Sequence, residues 1–196
     1  LDLTATDYPD LTNCTSLYGM FSGCSSLENT NGSIGSWETD TITNIFGMFK
    51  NCSLFNQSVN NWDVSNVTSF GSNALGVFDG CTSFNQPLNN WDVSNGVQFT
   101  QMFRRATSFN QPLSNWDISN GTGFNSMFHT CVAFDQDLSN WRFRTSGSIS
   151  IGFMLYHCHV FNNGGQAGIN NWNTSNITDM AYLFRNAYAF NQPIGS

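Results

Sequence analysis

The six cysteines are the reactive side chains with the most regular spacing in this chain. Five of them lie four residues after the first residue of a recurring Met-Phe pair or its apolar equivalent: Cys24, Cys52, Cys81, Cys131 and Cys158. Cys14 is the sixth, and Ala106 and Ala187 fill the same column in two other repeats. Because only small residues occur there, we expect this column to form a tight, inward-facing corner.

Two interpretations of the cysteines remain open from spacing alone. Repeats that stack about 4.8 Å apart would bring neighbouring cysteines within the Cα separation of a disulfide. The pairs would then be Cys52–Cys81, Cys131–Cys158 and Cys14–Cys24, and the even count is compatible with this in a secreted chain. The other interpretation is a column of reduced, buried thiols that pack as small hydrophobic groups.

Histidines near two of the cysteines raise the question of a zinc site. His129, His157 and His159 lie close in sequence to Cys131 and Cys158, and two cysteines with two histidines form a common structural zinc site. An inward cysteine column and outward-facing neighbours would point the ligands apart. We therefore predict no zinc site.

An acidic column beside the tryptophans offers a second kind of metal ligand. It comprises Glu38, Asp63, Asp92 and Asp117, and it is interrupted by Arg142 and Asn173. Carboxylates one repeat apart could share Ca²⁺, but an aspartate before Ser-Asn also accepts hydrogen bonds within its own turn. We favour the turn, and we predict no metal, cofactor or catalytic residue because no acid–base or nucleophile pairing departs from the repeat pattern.

Asparagine sequons are frequent. Their candidate N-glycosylation sites are Asn13, Asn31, Asn56, Asn66, Asn120, Asn173 and Asn176. An eighth sequon, at Asn51, overlaps the cysteine corner and is not included. In a secreted eukaryotic protein we expect part of this set to carry glycans.

The element that positions all of these residues is a repeat of about 25 residues. The six tryptophans recur at one position of it, with spacings of 25, 29, 25, 25 and 31 residues: Trp37, Trp62, Trp91, Trp116, Trp141 and Trp172. Such a period is typical of solenoids, in which each repeat buries its apolar face against its neighbours. We predict one α/β repeat domain over residues 1–196, with about seven coils, an atypical first coil at 1–26 and regular repeats at 27–196.

Within a coil, the alternating segment Leu-Asn-Asn-Trp-Asp-Val predicts a short strand. The segment through Met-Phe, such as 97–103, predicts a short turn of α or 3₁₀ helix. Insertions that contain clusters of Gly, Ser and Asn, at 71–75 and 163–168, predict loops. The recurring aromatics predict a core ladder rather than a ligand platform, with these members: Trp62, Trp91, Trp116, Trp141, Phe103 and Phe109.

Charge and hydropathy exclude two classes of partner. The net charge is −7, with only six Lys and Arg, so we expect no binding to nucleic acid, which needs a basic surface. No stretch approaches the roughly 20 apolar residues of a membrane span. Charged residues make up only 10% of the chain, and a polar surface of this kind suits an extracellular or cell-surface location. The chain does not begin with Met, which we interpret as a mature product or a piece of a longer chain.

The long motif resembles a known family. Phe-Asn-Gln-Pro-Leu-x-Asn-Trp-Asp-Val-Ser-Asn, followed by Val-Thr and Met-Phe-x-Gly-Cys/Ala, is similar to the BspA-type bacterial surface-protein repeat, a domain of unknown function also found in mycoplasma lipoproteins and protist surface proteins. The resemblance implies a leucine-rich-repeat-like solenoid with short parallel strands, and a role in adhesion or partner binding. It carries over no catalytic residues, and it is weak over the first coil.

Two functions of different class follow. The first is an extracellular, non-enzymatic repeat scaffold for surface adhesion that binds a protein or a glycan. The alternative is a structural subunit of an extracellular filament, glycosylated or not, in which copies stack end to end. The sequence identifies no particular ligand.

Overall fold

The computed structural model describes residues 8–28 and 33–195, where regular elements are short. The strands are β1 (Ser69–Gly71), β2 (Gln98–Phe99), β3 (Ile149–Ser150) and β4 (Ile177–Asp179). Short 3₁₀ helices cover Ser33–Ser36, Asn163–Gly165 and Ile169–Asn171. β1 pairs with β2 in parallel, and β3 pairs with β4 in parallel. Isolated parallel bridges join further repeats at Ser16–Asn44, Gln98–Gly123 and Gly123–Ser150.

The segment around each Met-Phe pair, which we call the Met-Phe turn, is joined to the next repeat by every second backbone amide. The N–H groups of Gln101, Phe103 and Arg105 donate to carbonyl groups 24 residues later, at 2.8–2.9 Å. The intervening amides of Met102, Arg104 and Ala106 instead close turns onto carbonyls three residues earlier. The same alternation recurs in the Met-Phe turns at 17–24, 45–52, 124–131 and 151–158. Each repeat therefore lies parallel to the next and forms hydrogen bonds with it.

This alternation differs from the predicted secondary structure. The strand predicted over Leu-Asn-Asn-Trp-Asp-Val is wrong, because those residues form turns and irregular backbone. The strands lie instead just before the Met-Phe turns, where a helical turn was predicted, and the described residues contain no α-helix. Apolar spacing misled the prediction because consecutive tight turns also bury every second or third side chain.

The two insertions leave the inter-repeat pairing in place. Gly71 ends β1, and the amide of Val77 donates to the carbonyl of Phe70 at 3.2 Å, which closes the first insertion as a loop. The second insertion is more ordered than a plain loop, because Asn163–Gly165 forms a 3₁₀ turn. Buried Asn163 closes it by donating from Nδ2 to the carbonyl of Gln166 at 2.6 Å.

The apolar side chains form one continuous core that runs through all the described repeats. One column of stacked rings is Phe49, Phe78, Phe103 and Phe128, with centroids 5.6–5.8 Å apart. A second column is Phe55, Phe84, Phe109, Phe134, Phe161 and Phe190, at 5.9–6.1 Å. Such ring pairs add to stability beyond the burial of apolar area.

Polar side chains inside and beside the core are paired from repeat to repeat. The indole Nε1 of Trp62, Trp91, Trp116 and Trp141 each donates to a carbonyl of the preceding repeat at 2.8–3.0 Å. The asparagine of the Phe-Asn-Gln-Pro motif also forms hydrogen bonds between neighbouring repeats, at the next corner of the coil. Asn85 Oδ1 accepts the amide of Asn110 at 2.9 Å and Gln111 Nε2 at 3.0 Å. The motif is therefore largely explained by the requirement that buried polar groups be hydrogen-bonded.

Candidate functional site

One group of side chains departs from the repeat pattern and lies at or near the surface. It comes from three consecutive Met-Phe turns and the residues just after them, and we call it the aromatic–basic strip. Its members are His129, Phe153, Tyr156, His157, His159, Tyr182, Arg185 and Tyr188. Tyr182 and Tyr188 are 52% and 74% exposed, and the remaining members are exposed or partly buried.

The rings of the strip contact one another across the repeats. The ring of Tyr156 stacks on His129 with centroids 4.7 Å apart and tilts against Phe153 at 5.6 Å. Phe153 in turn contacts Tyr182 of the next repeat at 4.8 Å. The row thus spans three repeats along the stacking direction.

A second line of contacts also starts at Tyr156. His157 lies 4.2 Å from the Tyr156 ring and 5.6 Å from His159, which contacts Tyr188 at 5.1 Å. The ring nitrogens of His157 are also engaged, with Nε2 2.9 Å from Asn186 Nδ2 and Nδ1 3.4 Å from His159 Nε2. The strip is therefore an ordered cluster rather than a set of isolated exposed rings.

Arg185 lies over two of these rings. Its guanidinium carbon is 5.1 Å from the centroid of Tyr182 and 5.9 Å from that of Tyr156, within cation–π range. The ion pairs found in the described part of the chain join Asp79 to Arg104 and Arg105, so Arg185 has no carboxylate partner there.

The backbone of the strip is in the left-handed region. Phe153 and Tyr182 both have φ 56°, at a position where Gly19 and Gly47 have φ 60° and 57°. Bulky residues are genuine outliers there, and each costs about 1–3 kcal/mol unless its surroundings hold it. Gln101 and Ser126 occupy the same position with φ 59° and 57°, so the turn imposes this conformation, and Phe153 and Tyr182 are the bulkiest residues that adopt it there.

A buried ion pair lies one to two repeats before the strip. The Asp79 side chain is 1% exposed, and its Oδ1 accepts from Arg105 Nε at 3.1 Å and Nη2 at 2.9 Å. Arg104 Nη1 lies 3.6 Å from Oδ2, which accepts no hydrogen bond. This group fixes the two arginines beside His129.

The surroundings of His129 disfavour its protonation. Burial, and after it the positive charges of Arg104, His157 and Arg105, lower the pKa of His129 below its usual value. Its Nδ1 lies 2.9 Å from Thr130 Oγ1, and its ring stacks on Tyr156.

We expect the protein to lose stability in mild acid because of His129. The unfolded chain takes up a proton near the ordinary histidine pKa of about 6.5, whereas the folded chain resists it, so the free energy of unfolding falls as the pH drops through that value. Urea titrations between about pH 8 and about pH 5.5 should show this fall in the wild type and a flatter profile in His129→Gln.

Asp92→Asn is the control for that experiment. Hydrogen bonds from the side chain and backbone of Ser94 lower the pKa of Asp92, so its contribution is lost only as the pH falls below about 4. A slope in His129→Gln as steep as in the wild type would contradict the assignment.

All six cysteines are free thiols. Four of the five in the predicted column point into the core, and each donates to a carbonyl of the preceding repeat. The bonds are Cys52 to Phe21 at 3.0 Å, Cys81 to Phe49 at 2.8 Å, Cys131 to Phe103 at 2.9 Å and Cys158 to Phe128 at 3.0 Å. The pairings Cys52–Cys81, Cys131–Cys158 and Cys14–Cys24 are thus not formed in the structure.

We expect only Cys14 and Cys24 to react with a thiol reagent in the native protein. Burial raises the pKa of Cys52 and Cys158 to about 12, and it raises that of Cys81 and Cys131 well above its usual value. Cys14 and Cys24 are partly exposed. Iodoacetamide labelling followed by peptide mass spectrometry should modify these two first and the other four only after unfolding. Early labelling of any of the four would contradict the thiol ladder.

The carboxylates of the acidic column accept hydrogen bonds within their own turns. Asp63 Oδ1 accepts the amide of Ser65 at 2.9 Å, and Asp117 Oδ1 accepts that of Ser119 at 2.9 Å. Asn173 makes the same contact with Ser175 at 3.1 Å. Among the described residues, no group of three or more His, Cys, Asp and Glu side chains is arranged to hold a metal ion.

The sequons lie in different environments. Exposed members of the set are Asn13, Asn56, Asn66, Asn120 and Asn173, while Asn176 is partly buried and Asn31 lies outside the described residues. The Nδ2 atoms of Asn66 and Asn120 donate to carbonyls of the preceding repeat at 2.7 Å. A glycan would be attached to that same atom, so at these two sequons the attachment atom is already used in a hydrogen bond between repeats.

Sequence reasoning missed the strip and the ion pair. Both consist of residues that do not recur at the same position of the other repeats. A signal was present in the column before Met, where Gly19 and Gly47 are followed in later repeats by Phe153 and Tyr182. The column also contains Gln101 and Ser126, so the signal was the appearance of large aromatic residues in two successive repeats.

Comparison with known proteins returns one family. A family model described as a Mycoplasma protein of unknown function, DUF285, matches residues 4–74, 72–167 and 150–196. The three overlapping matches are consistent with a repeat family. No curated protein and no solved structure matches the chain. In the described residues no helix has the length and apolar character required to cross a membrane.

Proposed function

Because the chain belongs to the DUF285 family of Mycoplasma proteins of unknown function, whose description names no activity, we propose a function from its own surface: an extracellular, non-enzymatic repeat scaffold that binds a protein or glycan and mediates surface adhesion. The proposal includes the closer relationship to BspA-type surface repeats and a leucine-rich-repeat-like solenoid of about seven coils. The parallel hydrogen bonding between equivalent residues of neighbouring repeats supports the solenoid.

The observation that carries the binding role is the aromatic–basic strip. Large aromatics are retained at φ 56° where glycine would be unstrained, and their rings remain accessible at the surface. Tyrosine and arginine are the residue types that dominate binding hot spots. A purely structural repeat would gain stability by replacing them.

The test is a binding screen with a variant in which strip residues are replaced by the residues that earlier repeats carry at the same positions. Labelled wild-type protein is applied to an array of glycans and extracellular proteins beside the triple variant Phe153→Gly/Tyr182→Gly/Arg185→Ser. Tyr18→Ser is the matched control, because Tyr18 is 56% exposed and lies outside the strip. We expect saturable binding by the wild type and the control and its loss in the triple variant. Equal binding by all three proteins would overturn the proposal.

A partly apolar groove favours the alternative, a filament subunit. The groove lies on the last described repeat, has a volume of about 520 Å³ and is lined in part by Trp172, Met180, Leu183, Phe184 and Ile194. Met180 and Ile194 are 41% and 67% exposed. A second copy stacked head to tail would cover such a face.

Solution scattering over a concentration series, with negative-stain microscopy, tests this alternative. Filaments that disappear in Ile194→Asp would support end stacking. Monodisperse particles at every concentration would exclude it for this chain.

A further inference from the structure

We propose that the aromatic–basic strip is a subsite for a carboxylated saccharide, with Arg185 binding the carboxylate and the rings of Phe153, Tyr156 and Tyr182 packing against the sugar faces. This inference rests on the proposed binding function and narrows it to one ligand class.

Arg185 supplies the anion-binding group. It is exposed, it is held over two tyrosine rings by cation–π contacts at 5.1 and 5.9 Å, and none of the ion pairs in the described residues includes it. The planar guanidinium offers a fork of N–H donors that matches a carboxylate in a bidentate fashion. Stacking on the rings orients the guanidinium before a ligand arrives, which reduces the entropy lost on binding.

The charge around the strip favours an anion although the chain as a whole is acidic. The net charge is −7, yet Arg104 and Arg105, one repeat before His129, share a single carboxylate, that of Asp79, and Arg185 has no carboxylate partner among the described residues. Two carboxylates of these and the preceding repeats are already engaged. Asp79 is paired with the arginines, and Asp179 accepts from Ser150 Oγ at 2.9 Å and from the amide of Ala181 at 2.9 Å.

The ring arrangement favours a saccharide over a polyanion. One unpaired guanidinium is flanked by the neutral faces of Tyr156 and Tyr182, and Phe153 joins these two rings at 5.6 and 4.8 Å. The faces of aromatic rings are electron-rich, so they attract the polarised C–H groups of a sugar ring. A nucleic acid would require a track of cations along its phosphates, whereas one cation between rings suits a single carboxylate on an otherwise neutral ligand.

The row of rings runs along the stacking direction, from His129 through Tyr156 and Phe153 to Tyr182. An oligosaccharide laid along it would meet side chains from one repeat after another. A globular protein partner, by contrast, would need a contact of roughly 800 Å² on each side with a desolvated apolar centre. The strip is a single row of rings, and its tyrosine and histidine rings carry polar atoms, so it fits the saccharide better.

Isothermal titration with two matched probe pairs tests the proposal. Oligogalacturonate is compared with its neutral methyl ester, and sialyllactose with neutral lactose, so that the two pairs distinguish the two sources of a sugar carboxylate. We expect at least one acid to bind about ten-fold or more tightly than its neutral partner. Arg185→Ser should abolish that preference, and Phe153→Gly/Tyr182→Gly should weaken binding of the acid about ten-fold or more.

The two glycine substitutions also separate binding from folding. Glycine occupies the left-handed region without strain, so we expect the melting temperature of Phe153→Gly/Tyr182→Gly to equal or exceed that of the wild type while binding is lost. Tyr18→Ser should bind like the wild type.

The outcomes distinguish this inference from the broader function. Equal affinity for acid and neutral probes, no binding of any probe, or an unchanged preference in Arg185→Ser overturns the saccharide subsite. If a protein on the array binds through the strip instead, the binding scaffold stands and the ligand class is wrong. If the triple strip variant binds every array ligand as the wild type does, both proposals fail.

Discussion

Replacing Phe103 with alanine is expected to lower the free energy of unfolding by about 3–5 kcal/mol, the usual loss for a buried phenylalanine. Phe103 is fully buried, and its ring lies between those of Phe78 and Phe128 at 5.6 Å on either side. It also stacks on Phe109 of its own repeat at 4.1 Å. Because each repeat contacts only its neighbours, a cavity here weakens the contacts with both the preceding and the following repeat.

Urea denaturation followed by tryptophan fluorescence measures this loss, and two variants calibrate it. Phe103→Leu keeps most of the volume and should lose far less stability, about 1.5 kcal/mol or less. Phe184→Ala removes a partly buried ring that stacks on Phe161 at 6.4 Å and on Phe190 at 4.0 Å, and it should also lose less. A loss in Phe103→Ala no larger than in Phe184→Ala would show that the central column is not the main source of cohesion.

The period and the apolar columns could be predicted from the sequence because the same residue types recur at the same positions in successive repeats. Trp62, Trp91 and Trp116 recur at one position, and repetition separates a real column from chance. The depth of burial follows, since residues such as Phe103 and Phe109 have equivalents above and below them. No single alternation had to be interpreted alone.

The secondary structure could not be predicted in the same way. In the Met-Phe turn, alternate amides bond to the next repeat while the others close tight turns, and this requires φ near +60° at Gln101 and Arg105. Propensity gives no warning of such a conformation, because neither residue type prefers it. Apolar side chains still recur every two or three residues, which imitates a helix.

Nor could the candidate site be predicted from what the repeats share, because it lies in their differences. Phe153 and Tyr182 replace glycine, and Arg185 occupies a column in which Lys50, Asp79 and His129 also occur. Without coordinates, nothing shows that these side chains meet or which of them is unpaired. The residues that the repeats share determine the core and the contacts between repeats, whereas the residues that differ determine the chemistry of the exposed surface.

Arg105→Asn is expected to destabilise the protein by about 3 kcal/mol, even though asparagine suits the backbone at this position. Asn51 and Asn186 occupy equivalent positions with φ 59° and 62°, close to the 61° of Arg105. The loss arises instead at Asp79, whose side chain is 1% exposed and whose Oδ1 accepts two hydrogen bonds from Arg105. Without Arg105 the buried carboxylate loses both of these hydrogen bonds and keeps only Arg104, whose Nη1 lies 3.6 Å from Oδ2, and removing a partner from a buried charge is more costly than the pair itself is stabilising.

The reverse substitution should be mild. Asp79→Asn keeps the shape and removes the buried charge, while the Arg105 side chain is 42% exposed and can be solvated, so we expect a loss of about 1 kcal/mol or less. The double variant Asp79→Asn/Arg105→Asn should therefore be more stable than Arg105→Asn alone, although it carries one more substitution. Urea titrations of the wild type and the three variants give the coupling energy directly. If the double variant is no more stable than Arg105→Asn, the buried carboxylate is not what Arg105 compensates.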